Sequence, residues 1–269
     1  MPQPSILIEN LSKRYLRRAH SAQTFIANEI IRQLTSLGRR MHSNTQTDHT
    51  LNDERYLWAL RDINLEAREG DVIGFVGRNG SGKSTLLKII ARTTRPTRGR
   101  AVVFGRAGCL LEAGTGFHPE LTGRENIFLN GMILGMTRKR IQQYFDEIVE
   151  FSGVCDQLDT PVKFFSTGQI IRLGFSVAAY LDHEILLIDE VLAVGDAEFR
   201  RQCFDKMAEL ARQGRTILIV SHQMEYLQQL CNKGALLDRG QLVAYGDWSQ
   251  IVQKYASVVA AQEFPVSVS

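Results

Sequence analysis

The chain has 269 residues, with 32 lysines and arginines against 29 aspartates and glutamates, a formal net charge of +3. That length suits one large α/β domain or two small ones, and a balance so near neutrality gives no argument for a nucleic-acid surface. The longest apolar runs, Ile185 to Ile188 and Thr216 to Val220, fall far short of the roughly 20 residues a membrane-spanning helix needs, and the opening before Ser5 is too brief for a signal peptide, so a cytoplasmic chain is expected.

Apolar alternation predicts strands at 5–9, 63–67 and 71–76, the last running from Asp71 through Val76 into a glycine loop. Helical periodicity follows, with Leu86, Leu87, Ile89 and Ile90. Strands are expected again at 100–104 and 107–111. Residues 122–181 read as mostly helical. One helix covers 124–134; a second covers 138–151, with Thr137 as its N-cap; a third begins near Ser166. A buried strand at 185–189, a helix near 197–213, a strand at 216–220 and a short helix after Gln223 complete the alternation. A hairpin over 234–245 should turn at Arg239-Gly240, and the last twenty residues read as a helix with a frayed tail from Glu263. Alternating strands and helices argue for a mainly parallel sheet covered by helices.

About forty residues between Tyr15 and Tyr56 look inserted. Phe25, Ile26, Ile30, Leu34 and Leu37 recur at helical spacing, with Arg32, Arg39 and Arg40 among the polar positions. Cys109, Cys155, Cys203 and Cys231 show no metal-ligand spacing and are expected to be reduced, partly buried thiols.

Four motifs carry chemistry. Gly77-Arg78-Asn79-Gly80-Ser81-Gly82-Lys83-Ser84 has the spacing of a phosphate loop and lies between a strand and a helix. Its glycines free backbone N–H groups to point at phosphate. Lys83 can reach the β- and γ-phosphates, and Ser84 can ligate Mg²⁺. Ile185 to Glu190 is an apolar strand ending in two acids: Asp189 suits Mg²⁺, and Glu190 suits orientation or deprotonation of an attacking water. Phe165-Ser166-Thr167-Gly168-Gln169 opens an amphipathic helix, with Ser166 as N-cap, a helix and a turn before Asp189. Ser221-His222 ends the next strand, where a histidine can contact the γ-phosphate.

In this order the motifs resemble an ABC nucleotide-binding domain. The fold this implies is α/β: a P-loop NTPase cassette with a mainly parallel core sheet, a small antiparallel β part and a helical subdomain. The cassette would span residues 1–246, with the insertion at 16–55, the helical subdomain at 122–181 and a C-terminal helix and tail at 247–269. Residues 165–169 stand at the family's signature, Asp196 at its D-loop aspartate, and Tyr15 at the aromatic that stacks on adenine. Arg78, Asn79, Ser81 and Thr85 fall within or beside the phosphate loop and join the ATP site by the same resemblance. Catalytic roles fall to Lys83, Glu190 and His222. The run from Leu110 to Ile127, with Val191 to Asp196, is similar to the subunits that energise O-antigen and capsule export, and in part to teichoic-acid exporters.

The resemblance implies an ATP-hydrolysing homodimer with Mg²⁺, peripheral at the cytoplasmic face of the inner membrane. It would work with a separate permease and meet the polysaccharide only through it. Two chains would pack head to tail, so that Ser166, Gly168 and Gln169 of one face the nucleotide of the other. Phe165 and Thr167 depart from the usual signature. No glutamine stands in 110–118, where Glu112 is the nearest polar candidate, and the insertion leaves Tyr15, Tyr56 and Trp58 as alternatives at adenine. The basic helix near 21–39 is expected to pack on its own domain or to dock on the permease or membrane. A DNA-acting relative would need a long coiled coil between phosphate loop and signature, and a translation-factor ATPase a second cassette; neither is present.

Overall fold

The computed structural model describes residues 4–16, 56–110, 116–189, 196–221 and 223–263, with side chains to 258. Strand β1 (Pro4–Leu16) pairs antiparallel with both β2 (Tyr56–Arg68) and β4 (Arg98–Val103), giving a three-stranded sheet in the order β2-β1-β4. The main sheet has six strands in the order β5-β6-β7-β3-β8-β9: β5 (Ala107–Cys109), β6 (Ile185–Asp189), β7 (Thr216–Val220), β3 (Val72–Val76), β8 (Lys233–Asp238) and β9 (Gln241–Asp247). All its neighbours pair in parallel except β8 with β9.

Helix α1 (Lys83–Ile90) follows β3. The helical part holds α2 (Gly123–Ile133), α3 (Arg138–Gln143), α4 (Phe145–Ser152) and α5 (Thr167–Ala179). Then come α6 (Ala197–Arg212), α7 (Met224–Leu230) and α8 (Trp248–Glu263). No described helix is long and apolar enough to cross a membrane.

The central strands are buried on both faces, as continuous apolar runs in parallel sheets require. In β3, Ile73 and Phe75 face the small sheet and α1, joining a core with Ile6, Leu60 and Leu86. Val72 and Val76 face the other way, toward a second core with Ile127, Phe175 and Phe199. Burying a side chain the size of Phe75 contributes roughly 1.5–3 kcal/mol. Gly74 is glycine because α8 lies against this strand: a Cβ there would sit 2.5 Å from Trp248 Cζ3.

Several boundaries differ from those the pattern predicts. β1 and β2 run 13 residues each, well beyond 5–9 and 63–67. Register shifts break their ladder, and Asn10 and Asp62 take positive φ angles of 46° and 48°, so period-two alternation is lost while pairing continues. The single helix expected over 138–151 is two, parted at Tyr144, whose φ and ψ of −105° and 11° lie off the helix. The Tyr144 ring packs 5.5 Å from Tyr180 and carries Arg140 at 4.3 Å, tertiary contacts that outweigh local periodicity. The β8–β9 hairpin turns at Arg239-Gly240 with φ of 45° and 80°, both positive as a two-residue hairpin loop prefers. Cys203 and Cys231 are buried and their thiols pushed up to about 12 by that burial, whereas Cys155 is exposed rather than partly buried. The expected inserted helix and the frayed tail fall in 17–55 and 264–269, outside the described residues.

Candidate functional site

Strands β6, β7 and β3 are neighbours and parallel, so their C-terminal ends share one edge of the sheet. Register places Asp189 beside Val220 and Val220 beside Phe75. The carboxylate that ends β6 therefore lies two strands from the start of the phosphate loop, with Ser221 between them. Ligands of open α/β sheets gather at this edge.

The loop's shape rests on glycine at positions where a side chain would be excluded. Gly77 has φ of 143°, and a Cβ there would sit 2.1 Å from the Leu237 carbonyl oxygen. At Gly82, φ is 106° and the Cβ would be 2.5 Å from the Ala59 carbonyl. Gly82 is the N-cap of α1 and offers no side-chain acceptor, so the first N–H groups of the helix remain available to an anion. Lys83 is buried and curls back over the loop, its Nζ donating to the carbonyls of Gly77 at 2.7 Å and Arg78 at 3.0 Å.

A cavity of 480 Å³ opens over this loop, lined by Asn79, Lys83, Ser84 and Thr85 and also by Tyr15, Leu57 and Trp58. β1 continues through Tyr15 opposite Leu57 and Leu16 opposite Tyr56. The described chain on either side of the insertion thus meets at adjacent positions, and Tyr15 stays paired in the sheet. Opposed residues share a face. Tyr15 and Leu57 project from one face, while Tyr56 and Trp58 share the other with Arg14, whose guanidinium stacks 4.0 Å from Tyr56 and 5.6 Å from Trp58. Tyr15 is 41% exposed, with the Lys13 ammonium 4.9 Å over its ring.

Two contacts bracing the loop could not be seen in the sequence. The Gly240 N–H donates to the Ser81 carbonyl at 3.1 Å, and the Arg61 N–H donates to the Gly240 carbonyl at 2.7 Å. The hairpin turn is thus wedged between β2 and the phosphate loop. The dipeptide predicts a turn, but nothing in it says against what.

The Ser166 helix start is built differently. Ser166 Oγ accepts from the Gln169 N–H at 3.2 Å and Gln169 Oε1 accepts from the Ser166 N–H at 2.8 Å, a reciprocal capping box. Gln169 Nε2 donates to Gln157 Oε1 at 2.9 Å. Ser166 and Thr167 are exposed, Gly168 half-buried. Phe165 is buried against Gly123, where a Cβ would come 3.1 Å from the ring, so the large signature residue is matched by an absent one. No residue of 166–169 lines the phosphate-loop cavity. Farther along α5, Arg172 pairs with Asp196, the N-cap of α6. The Phe199 N–H, then the Arg172 charge, hold the Asp196 carboxyl below its usual range against desolvation. Glu190, His222 and Glu112 lie outside the described residues.

Known proteins fit this geometry. The model of the ABC transporter family matches residues 60–193. The chain is 38% identical over 260 residues to the O-antigen export system ATP-binding protein RfbB of Myxococcus xanthus, covering 96% of this chain and 57% of that protein. It is 41% identical over 210 residues to the protein of the same description from Klebsiella pneumoniae, covering 78% and 85%. To the teichoic acids export ATP-binding protein TagH of Bacillus anthracis it is 41% identical over 203 residues, covering 76% and 37%. The chain therefore spans little more than half of the Myxococcus relative and well under half of the Bacillus one. Among solved structures, the dimeric post-hydrolysis state of the ATP-binding cassette MJ0796, bound to ADP and Pi, superposes with a TM-score of 0.65 at 18% identity, covering 90% of this chain and 98% of that one. The chain belongs to the ABC transporter family, as an ATP-binding cassette and an ATPase.

Proposed function

We propose that this ATPase powers export of a polysaccharide of O-antigen or capsule type across the inner membrane, through a separate permease that it meets at the cytoplasmic face. The observation that carries the substrate class is the 41% identity to an O-antigen export subunit of which the chain covers 85%. A teichoic acid or another lipid-linked polymer is the second reading, favoured by the similarity to TagH.

In the proposed site, adenine stacks on Tyr15 and the triphosphate follows the loop from Gly77 to Thr85. The N–H groups of α1 and the Lys83 ammonium meet the β- and γ-phosphates. To do so Lys83 exchanges the two loop carbonyls it now holds for phosphate oxygens. The Ser84 hydroxyl and the Asp189 carboxylate are hard oxygen donors that suit Mg²⁺, which when bound neutralises charge on the β- and γ-phosphates. Glu190 takes a proton from the attacking water, and His222 contacts the γ-phosphate. Ser166, Gly168 and Gln169 serve the nucleotide of a second copy; the absence of this helix start from the chain's own cavity supports that division.

The test is deletion of the coding sequence in a strain that displays the polymer. Surface polysaccharide should vanish while lipid-linked polymer accumulates inside. Wild type should restore it, and Lys83→Ala or Glu190→Gln should not. Unchanged surface polysaccharide in the deletion overturns the substrate assignment.

A further inference from the structure

On the edge of the main sheet opposite the phosphate loop, the chain segments entering β5 and β6 meet the connection between α2 and α3. A cavity of 130 Å³ lies there, lined by Arg106, Asp182 and His183 from the sheet side and Gly135, Thr137 and Arg140 from the helical side. Two of its lining residues carry buried polar atoms without a hydrogen-bond partner among the described residues: Arg140 Nε and His183 Nδ1. Native proteins rarely leave such groups unmatched.

The charge is also incompletely answered. Arg140 makes a cation–π contact with Tyr144 at 4.3 Å and no ion pair among the described residues. Arg106 Nη2 stands 3.7 Å from both Asp182 Oδ2 and Glu184 Oε1, long contacts that leave its fork able to serve a further anion. Both neighbouring carboxylates thus stand beside Arg106, and none pairs with Arg140 among the described residues. Gly135 has φ of 92° and open space where a side chain would be, which keeps the mouth clear.

We propose that this cavity is a binding site for a small tetrahedral oxyanion, with inorganic phosphate as its ligand. The space suits a four-oxygen ion and is too small for a nucleotide. Arg106, Arg140 and a protonated His183 would surround it, tying the α2–α3 connection to the sheet. Because phosphate is a product of the ATPase reaction, its accumulation would stiffen the junction between the helical part and the core. His183 gives the site a pH signature. Burial, then the charges of Arg106 and Arg215, lower its pKa, against Glu184 and Asp182. A phosphate facing it, with Arg140 beyond, raises that pKa and favours the imidazolium, so binding tightens as pH falls.

The full chain, saturated with the Mg²⁺ complex of a non-hydrolysable ATP analogue so that the β- and γ-phosphate positions are both filled, is titrated with inorganic phosphate by calorimetry. His183 is followed by NMR. One phosphate event is expected, weakened at least tenfold in Arg140→Gln and in Arg106→Gln with affinity for the analogue unchanged. Phosphate should raise the His183 midpoint in wild type and not in Arg140→Gln. Absence of a phosphate event in wild type, or an undiminished event in both variants, overturns the proposal. If Arg140→Gln does not fold, Arg106→Gln decides, its side chain being largely exposed. Glycerol 3-phosphate is the second probe; binding as tight as free phosphate would overturn the free ion in favour of an ester headgroup.

Discussion

At Lys83 a helix begins from a left-handed glycine with no side chain over its first N–H groups; at Thr167 another begins from Ser166, whose hydroxyl and the Gln169 amide satisfy each other's backbone. The first helix start opens on a cavity, and Gly77 and Gly82 beside it leave no room for a Cβ against neighbouring carbonyls. The second is exposed, already capped, and tolerant of bulk on its open side. The difference lies in what each start leaves open: the first keeps its backbone N–H groups uncovered beneath a cavity, and the second is a closed cap at the surface. On the proposed function the first would meet the chain's own nucleotide and the second that of another copy.

The comparison is most exposed to failure at Gly77. In Gly77→Ala the new Cβ would collide with the Leu237 carbonyl at 2.1 Å on a backbone with φ of 143°, so stability should fall by roughly 3–5 kcal/mol in urea unfolding, and ATP binding with it. A variant with wild-type stability and affinity would show that the loop can relax away from β8.

Lys83→Ala should leave the fold standing and cut hydrolysis roughly 10²–10³-fold. Mixing it with Ser166→Arg sharpens the division. In a mixed dimer one site combines both lesions and the other has neither, so activity should return to about half if the sites act independently. Mixed dimers that hydrolyse nothing would rule out independent sites.

Gly168→Ala separates packing from contact. A Cβ at Gly168 would meet only Ser166 Oγ at 3.8 Å, so the isolated chain should gain about 0.5–1 kcal/mol from reduced backbone freedom. Hydrolysis should nevertheless drop roughly 10–10²-fold, because the added methyl stands between the helix and a partner's γ-phosphate. Undiminished turnover would mean that this surface does not approach a nucleotide. The smallest effect is that of Ser166→Ala on folding, about 1 kcal/mol from loss of the cap, read as a shift in the denaturant midpoint.

The parts of this division differ in how well they could be read from residues alone. The phosphate loop was legible because the residues that define its pattern, Gly77, Gly80, Gly82 and Lys83, lie close together along the chain, although what packs against them, Leu237, Ala59 and Gly240, lies far from them in sequence. The Ser166 cap was legible for the same reason. The long pairing of β1 with β2 was not, since bulges at Asn10 and Asp62 scramble alternation while leaving the ladder in place. The face on which Tyr15 lies depends on its being opposite Leu57, across forty residues of intervening chain. The break at Tyr144 goes with its packing on Tyr180, just past the end of α5. Long-range register and ring packing leave no periodic trace, so they were visible only in three dimensions.

The wedge formed by the β8–β9 turn bears on how the protein comes into being on the ribosome. A chain synthesised from its N-terminus carries the phosphate loop more than 150 residues before the segment that braces it, for Gly240 must reach Ser81 and Trp248 must cover Gly74. The nascent polypeptide therefore carries the nucleotide-loop sequence without the backbone partners that fix its shape until β8 and β9 have followed it. Capacity to bind ATP should appear only once those two strands have left the exit tunnel.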